Sequence, residues 1–179
     1  MYYDFLAGLT KGEHKNMNQN PERYMAAAIA QAKCAARRGE VPVGAVIVKD
    51  GKILARAYNT RETRKNALHH AELKVIGRAC EKLGGWRLPG CELYVTLEPC
   101  PMCAGAIVNA RIEKVWFGAW DPKAGAFGSL FDINTCGLNH RPAVEGGVLE
   151  SDCAALLSNF FLELRRGKSV GRTDKKGEN

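Results

Sequence analysis

Four side chains in two short stretches could together do chemistry that none could do alone. In "VTLEPCPMCAGAIV" Cys100 and Cys103 stand three apart, and in "LHHAELKV" His70 is followed two positions later by Glu72. Residues three apart share a helix face, so both sulfurs can approach one ion, and a helix N-terminus stabilises thiolates. A redox disulfide at the start of a helix has the same spacing, so a third ligand must decide. His70 offers one. Three protein ligands leave one position of a tetrahedral zinc for water, the catalytic rather than the structural arrangement. Glu72 can then take a proton from that water and pass it to a substrate without coordinating the metal. Alone, Glu72 reads as a helix-start carboxylate favoured by the helix dipole. His69 is the rival ligand, but the H-x-E spacing favours His70. A closed structural site would need Cys80, Cys91 or Cys136 as a fourth ligand, and none of these has a paired spacing.

This chemistry requires the two stretches to start helices at the same place in the fold. Asn20 before Pro21 makes a helix entry, and Met25, Ile29, Ala32 and Ala36 follow on one face. In "VGAVIVKDGKILARAY" two apolar strands, near 43–49 and 52–58, meet at Asp50 and Gly51, residues that accept a tight hairpin turn. A polar loop follows, containing the basic run "RETRK". "HAELKVIGRACEKLGG" then reads as a helix stopped by glycine, "ELYVTL" as a buried strand, "PMCAGAIVNARI" as a second helix and "KVWFGA" as another strand. Strand, helix, strand, helix, strand implies a layered α/β domain with parallel crossovers, preceded by an antiparallel hairpin. Such crossovers bring the starts of successive helices together at the carboxyl ends of the strands. The loop "DPKAGAFGS" lacks the pattern of a nucleotide phosphate cradle, so no nucleotide cofactor is expected. Leu156, Leu157, Phe160, Phe161 and Leu164 recur at helical spacing in "SDCAALLSNFFLELRR" and read first as a core stripe, although Phe161 can equally face outward.

Length and composition bound the rest. The 179 residues suit one domain with its own core. No apolar run nears the roughly 20 residues of a membrane span, and the first residues lack the features of a secretory signal. No membrane partner and a cytoplasmic location are expected. The seven cysteines show no disulfide rhythm. A net charge of +7, with basic runs at 61–65 and 165–179, favours a polyanionic partner, although a solvated basic surface would give the same composition.

"HAE" with "PCPMC" is the H-x-E…P-C-x-x-C pattern of zinc-dependent nucleoside and nucleobase deaminases, an enzyme class whose mechanism is already established. Beyond the signature, "EVPVGAVIV", "YN" at 58–59, "LYVTLEPCPMCAGAI", "GAWDPKAGAFGSL", "NHR" and "CAALLSNFF" together resemble the bacterial tRNA-specific adenosine deaminases. The resemblance runs from about residue 21 to about 166. It implies a cytidine-deaminase-like three-layer α/β fold, a central mixed sheet with helices on both faces. Residues 21–167 would form the deaminase domain, between a flexible extension at 1–20 and a basic tail at 168–179. It implies hydrolysis of adenosine to inosine at the wobble position of a tRNA anticodon, in an arginine tRNA, by a homodimer with one zinc per subunit. By the same resemblance His70, Cys100 and Cys103 are the zinc ligands and Glu72 the proton shuttle, while Asn59 and Ala71 bind the adenine. Asp121, Lys123, Phe161 and Arg165 would contact the anticodon stem-loop. Two alternatives remain open on the sequence: a deaminase of a free base or nucleoside such as guanine or cytosine, and an RNA-binding protein with a purely structural zinc.

Overall fold

The computed structural model describes residues 20–167. The extension expected over 1–20, except Asn20, and the basic tail expected over 168–179 lie outside the described residues. Helix α1 (Pro21–Ala36) begins as the sequence suggests: the Asn20 side-chain oxygen accepts from the amides of Glu22 at 3.1 Å and Arg23 at 3.4 Å. It buries Tyr24, Met25, Ala28, Ile29, Ala32 and Ala35. Ala36, expected inward, is only half-buried, because the helical period puts Ala35 in line with Ala28 and Ala32.

Strands β1 (Gly44–Lys49) and β2 (Lys52–Tyr58) form the expected hairpin, with both Asp50 (φ 49°) and Gly51 (φ 70°) in the left-handed region. Part of the loop that follows folds into a four-residue helix, α2 (Arg61–Arg64). The remaining elements are α3 (Ala71–Leu83), β3 (Cys91–Leu97), α4 (Pro101–Asn109), β4 (Lys114–Ala119), β5 (Ala143–Glu145) and α5 (Glu150–Arg165). The sheet order is β2-β1-β3-β4-β5, with β1 antiparallel to β2 and β3, and β3, β4 and β5 parallel. Strand β5 escapes the sequence reading because three residues are too few to show a period.

The sheet is buried on both faces, and β1 shows how. Ala45 and Ile47 join the core beneath α3 and α4, whereas Val46 and Val48 join the core beneath α1 and α5. Helix α1 lies so close to β1 that a Cβ at Gly44 would fall 2.1 Å from the Ala28 carbonyl oxygen and 2.3 Å from the Ala32 nitrogen. Gly118 of β4 likewise leaves room for Cys153 of α5. The stripe on α5 divides rather than forming one core face. Cys153 and Phe160 are buried, Leu156 and Leu157 are partly buried, and Phe161 and Leu164 are 42% and 47% exposed. Phe161 lies farthest round the helix from Cys153, whereas Leu164 is nearly in line with Cys153 but sits in the last turn of α5.

Both β2 and β3 run against β1, so they share a direction, and α3 and α4, which follow them, begin at the same end of the sheet. Strand β2 lies at the sheet edge. Three cations at four-residue intervals on α3 reach across to its carbonyl oxygens: Lys74 to Tyr58 at 2.9 Å, Arg78 to Arg56, and Lys82 to Leu54 at 2.7 Å.

Candidate active site

His70 and Cys100 are the N-cap residues of α3 and α4, where a side chain would ordinarily turn back onto the first amides. Neither does so. His70 Nδ1 lies 3.7 Å from Cys100 Sγ and 3.5 Å from Cys103 Sγ, and the three ligand atoms lie within 4.8 Å of one another. A tetrahedral ion with sulfur at roughly 2.3 Å and nitrogen at roughly 2.0 Å would separate those ligands by about 3.6 Å. The donor set therefore fits a metal ion of that geometry. Among the described residues no other such cluster forms, so Cys80, Cys91 and Cys136 add no fourth ligand. His69, the rival ligand, instead places Nδ1 3.4 Å from the Thr60 hydroxyl.

The three ligand groups share their protons unevenly, with Cys100 shifted toward the thiolate and His70 and Cys103 toward their protonated forms. Hydrogen bonding with Cys103, opposed by burial and reinforced by His70, holds the Cys100 thiol down at about 4. The bond to Cys100 raises the His70 imidazole above its ordinary value. Glu72, in the first turn of α3, is 4% exposed, and its Oε2 has no hydrogen-bond partner. Burial pushes its carboxyl above the usual carboxylate range. Its carboxyl group therefore holds a proton more readily than an exposed one would.

A pocket of about 230 Å³ opens beside this cluster, with Val41, Val43 and Leu97 as apolar lining and Asn59, Ala71 and Asp121 around it. Asn59 is buried. Its Nδ2 donates to Glu40 Oε2 at 3.3 Å and to the Val41 carbonyl at 3.4 Å, and its Oδ1 accepts from the Arg61 amide at 3.4 Å. The Glu40 carboxylate can only accept, so it fixes which way the carboxamide faces. Glu40, fully buried, also accepts from the amides of Glu62 at 3.1 Å and Thr63 at 2.6 Å at the start of α2. Burial pushes its pKa up, but these amides, the Thr63 side chain and the Arg61 charge together outweigh burial and hold it below the ordinary value.

A second buried carboxylate, Glu98, lies across the pocket just beyond the end of β3. Its Oε2 accepts from the Asp121 amide at 3.1 Å and from the Ser129 hydroxyl, and its Oε1 from the amides of Phe127 at 3.0 Å and Ser129 at 3.1 Å. Burial again acts upward, and the Ser129 hydroxyl and three amides outweigh it, so the Glu98 pKa is also lowered. Asp121 Oδ1 meanwhile accepts from the amides of Lys123 and Ala124, tying the turn that follows.

His70, Ala71, Glu72, Cys100, Asn59 and Asp121 therefore line one pocket, with Cys103 buried behind it. Lys123, Phe161 and Arg165 stand elsewhere, around a groove of about 370 Å³ shared with Leu157 and Ser158. Sequence reasoning missed Glu40 and the pocket-lining Arg61 and Glu98. The available signal was position: Glu98 stands between a buried strand and the first cysteine, where an isolated carboxylate needs donors to be buried.

The MafB19-like deaminase family matches residues 19–165. The chain is 55% identical over 152 residues to the tRNA-specific adenosine deaminase of Bacillus subtilis (strain 168), covering 84% of this chain and 94% of that protein. It is 48% identical over 145 residues to the tRNA-specific adenosine deaminase of Agrobacterium fabrum, covering 79% and 94%. Among solved structures it is similar to one from a study of A-to-I editing by tRNA:A34 deaminases, at 45% identity and TM-score 0.70, covering 75% of this chain and 99% of that one. It is also similar to the guanine deaminase from Bacillus subtilis, at 42% identity and TM-score 0.54, covering 58% and 66%.

Proposed function

This chain belongs to the MafB19-like deaminase family, and on that premise we propose that it hydrolyses adenosine to inosine and ammonia at the wobble position of a tRNA anticodon. The substrate is an arginine tRNA, the compartment the cytoplasm and the working form a homodimer. The observation that carries the reading is the meeting of His70, Cys100 and Cys103 beside a buried Glu72 whose Oε2 is unpaired. Two thiolates and an imidazole favour zinc, one per subunit. Zinc held there supplies the Lewis acidity that makes water a nucleophile at neutral pH.

The chain's own residues do the rest. Glu72 receives the proton of the attacking water, passes it to the ring nitrogen beside the amine-bearing carbon, and then serves the departing ammonia. Its burial raises its affinity for that proton. Asn59, held by Glu40, and Ala71 receive the adenine, and Val41, Val43 and Leu97 exclude water around it. Asp121 meets the RNA at the pocket, and Lys123, Phe161 and Arg165 meet it along the adjoining groove. There, cations beside an exposed aromatic ring suit a single-stranded loop.

The test is to incubate the zinc-loaded protein with an anticodon stem-loop carrying wobble adenosine, with free adenosine, guanine and cytosine in parallel, and to measure inosine and ammonia. Inosine from the stem-loop alone is expected. Release of ammonia from guanine or another free substrate, with the stem-loop untouched, would keep the hydrolytic centre but overturn the RNA substrate.

A further inference from the structure

The loop between β4 and the segment leading to β5 lies between two sites and is held from below by the Glu98 carboxylate and by one backbone bond, from the Ala126 amide to the Pro99 carbonyl at 2.9 Å. Asp121 and Ala124 line the base pocket, whereas Lys123 lines the groove with Phe161 and Arg165. The beginning of the loop, at Asp121, and its end, at Phe127 and Ser129, both close on the Glu98 carboxylate. Glu98 is 2% exposed and takes four donors from this one segment. Between them Gly125 passes directly over the carboxylate: a Cβ there would fall 2.1 Å from Glu98 Oε2 and 2.3 Å from its Cδ. Among the described residues the loop supplies every donor to the Glu98 carboxylate, and no lysine or arginine pairs with it. A buried carboxylate satisfied by amides and a hydroxyl is a geometric clamp, since every donor must arrive at its own angle.

We propose that Glu98, closed against Gly125, is a positioning residue that sets the 121–129 loop so that one RNA strand can occupy the pocket and the groove at once. The proposal deepens the tRNA deaminase reading and rests on it. Glu98 acts through the loop, so its loss weakens RNA binding far more than it slows the reaction of RNA already bound. Glu98→Gln keeps the shape but turns an acceptor into an amide that opposes the donors from Phe127, Ser129 and Asp121. Gly125→Ala attacks the same contact from the other side, far in sequence from the cysteines.

The experiment measures KM and kcat on the wobble-adenosine stem-loop, equilibrium binding of the same RNA by fluorescence anisotropy, and zinc per chain, for the wild-type protein, both single variants and the double variant. Each single variant is expected to raise KM and the dissociation constant about tenfold or more, with kcat changed by about threefold at most and zinc retained. The double variant should be no weaker than the weaker single, because both changes break one contact. Unchanged RNA affinity, loss of kcat with KM unaltered, loss of zinc, or fully additive effects would each overturn the proposal. Ser129→Ala is a milder probe that deletes only the hydroxyl donor and keeps the amides, and it must move KM in the same direction if the other variants fail to fold. A wild-type protein that neither binds nor deaminates the stem-loop would instead bring down the underlying reading.

Discussion

Two glutamates of similar burial have opposite proton affinities, and the difference is their neighbours. Glu72 has an oxygen with no hydrogen-bond partner and its pKa is raised, whereas Glu40 is surrounded by amides and its pKa is lowered. The first suits proton transfer and the second suits holding a shape. Glu72→Ala should retain zinc while lowering turnover by about 10²–10⁴-fold; metal analysis beside an inosine assay reads both, and a zinc-free variant would make Glu72 a ligand. Cys103→Ala should empty the site, read as zinc per chain. For Glu40 the sign follows from its lowered folded-state pKa. It contributes stability above the unfolded value of about 4.3, and that contribution is lost as pH falls through the folded value. Thermal melts of Glu40→Gln and the wild type should therefore differ most near neutral pH and converge in acid. The convergence of His70, Cys100 and Cys103 beside Glu72 was legible in the sequence, because side-chain type and spacing point to one shared site. Glu40 and Glu98 were not, because their partners are mostly backbone amides, which look alike in every sequence.

At the scale of elements, the site depends on how closely helices approach the sheet. Gly44 shows the tolerance: a methyl group there meets the backbone of α1 rather than a yielding side chain. Gly44→Ala should destabilise the fold by about 1–3 kcal/mol, measured by urea unfolding, and loosen α1 against β1. Gly44 directly follows the pocket-lining Val43, so substrate turnover should also fall in that variant. Most elements were readable from period and turn chemistry, with the hairpin at Asp50 and Gly51 the clearest case. The division of the α5 stripe was not readable, because helical spacing does not say how far along and around the helix a neighbour extends. Helix α2 was hidden for another reason: it is only four residues long, and its first amides are held by Glu40 from a distant part of the chain.

On the scale of the whole molecule, direction matters more than content. One antiparallel strand, β1, separates β2 from β3 and leaves them pointing the same way, so two helix starts about thirty positions apart in the chain bring together three side chains that could hold a metal ion. The sequence grammar predicted that convergence, and the mixed sheet realises it with a strand inserted between the two crossover partners. The same sheet has an exposed flank at β2, and Lys74, Arg78 and Lys82 occupy its carbonyl groups. An open flank of this kind invites another chain to add its own strand. The three cations are expected to guard this edge against self-templating, with Lys74 also bonded to the Thr60 hydroxyl beside Asn59. Replacing all three with alanine should leave zinc content intact but make the protein scatter light on mild warming and bind amyloid-sensitive dyes, whereas the wild type stays clear. Lysine acylation would strip two of the three charges at once, so chemical ageing of its amines should leave this edge open to another strand.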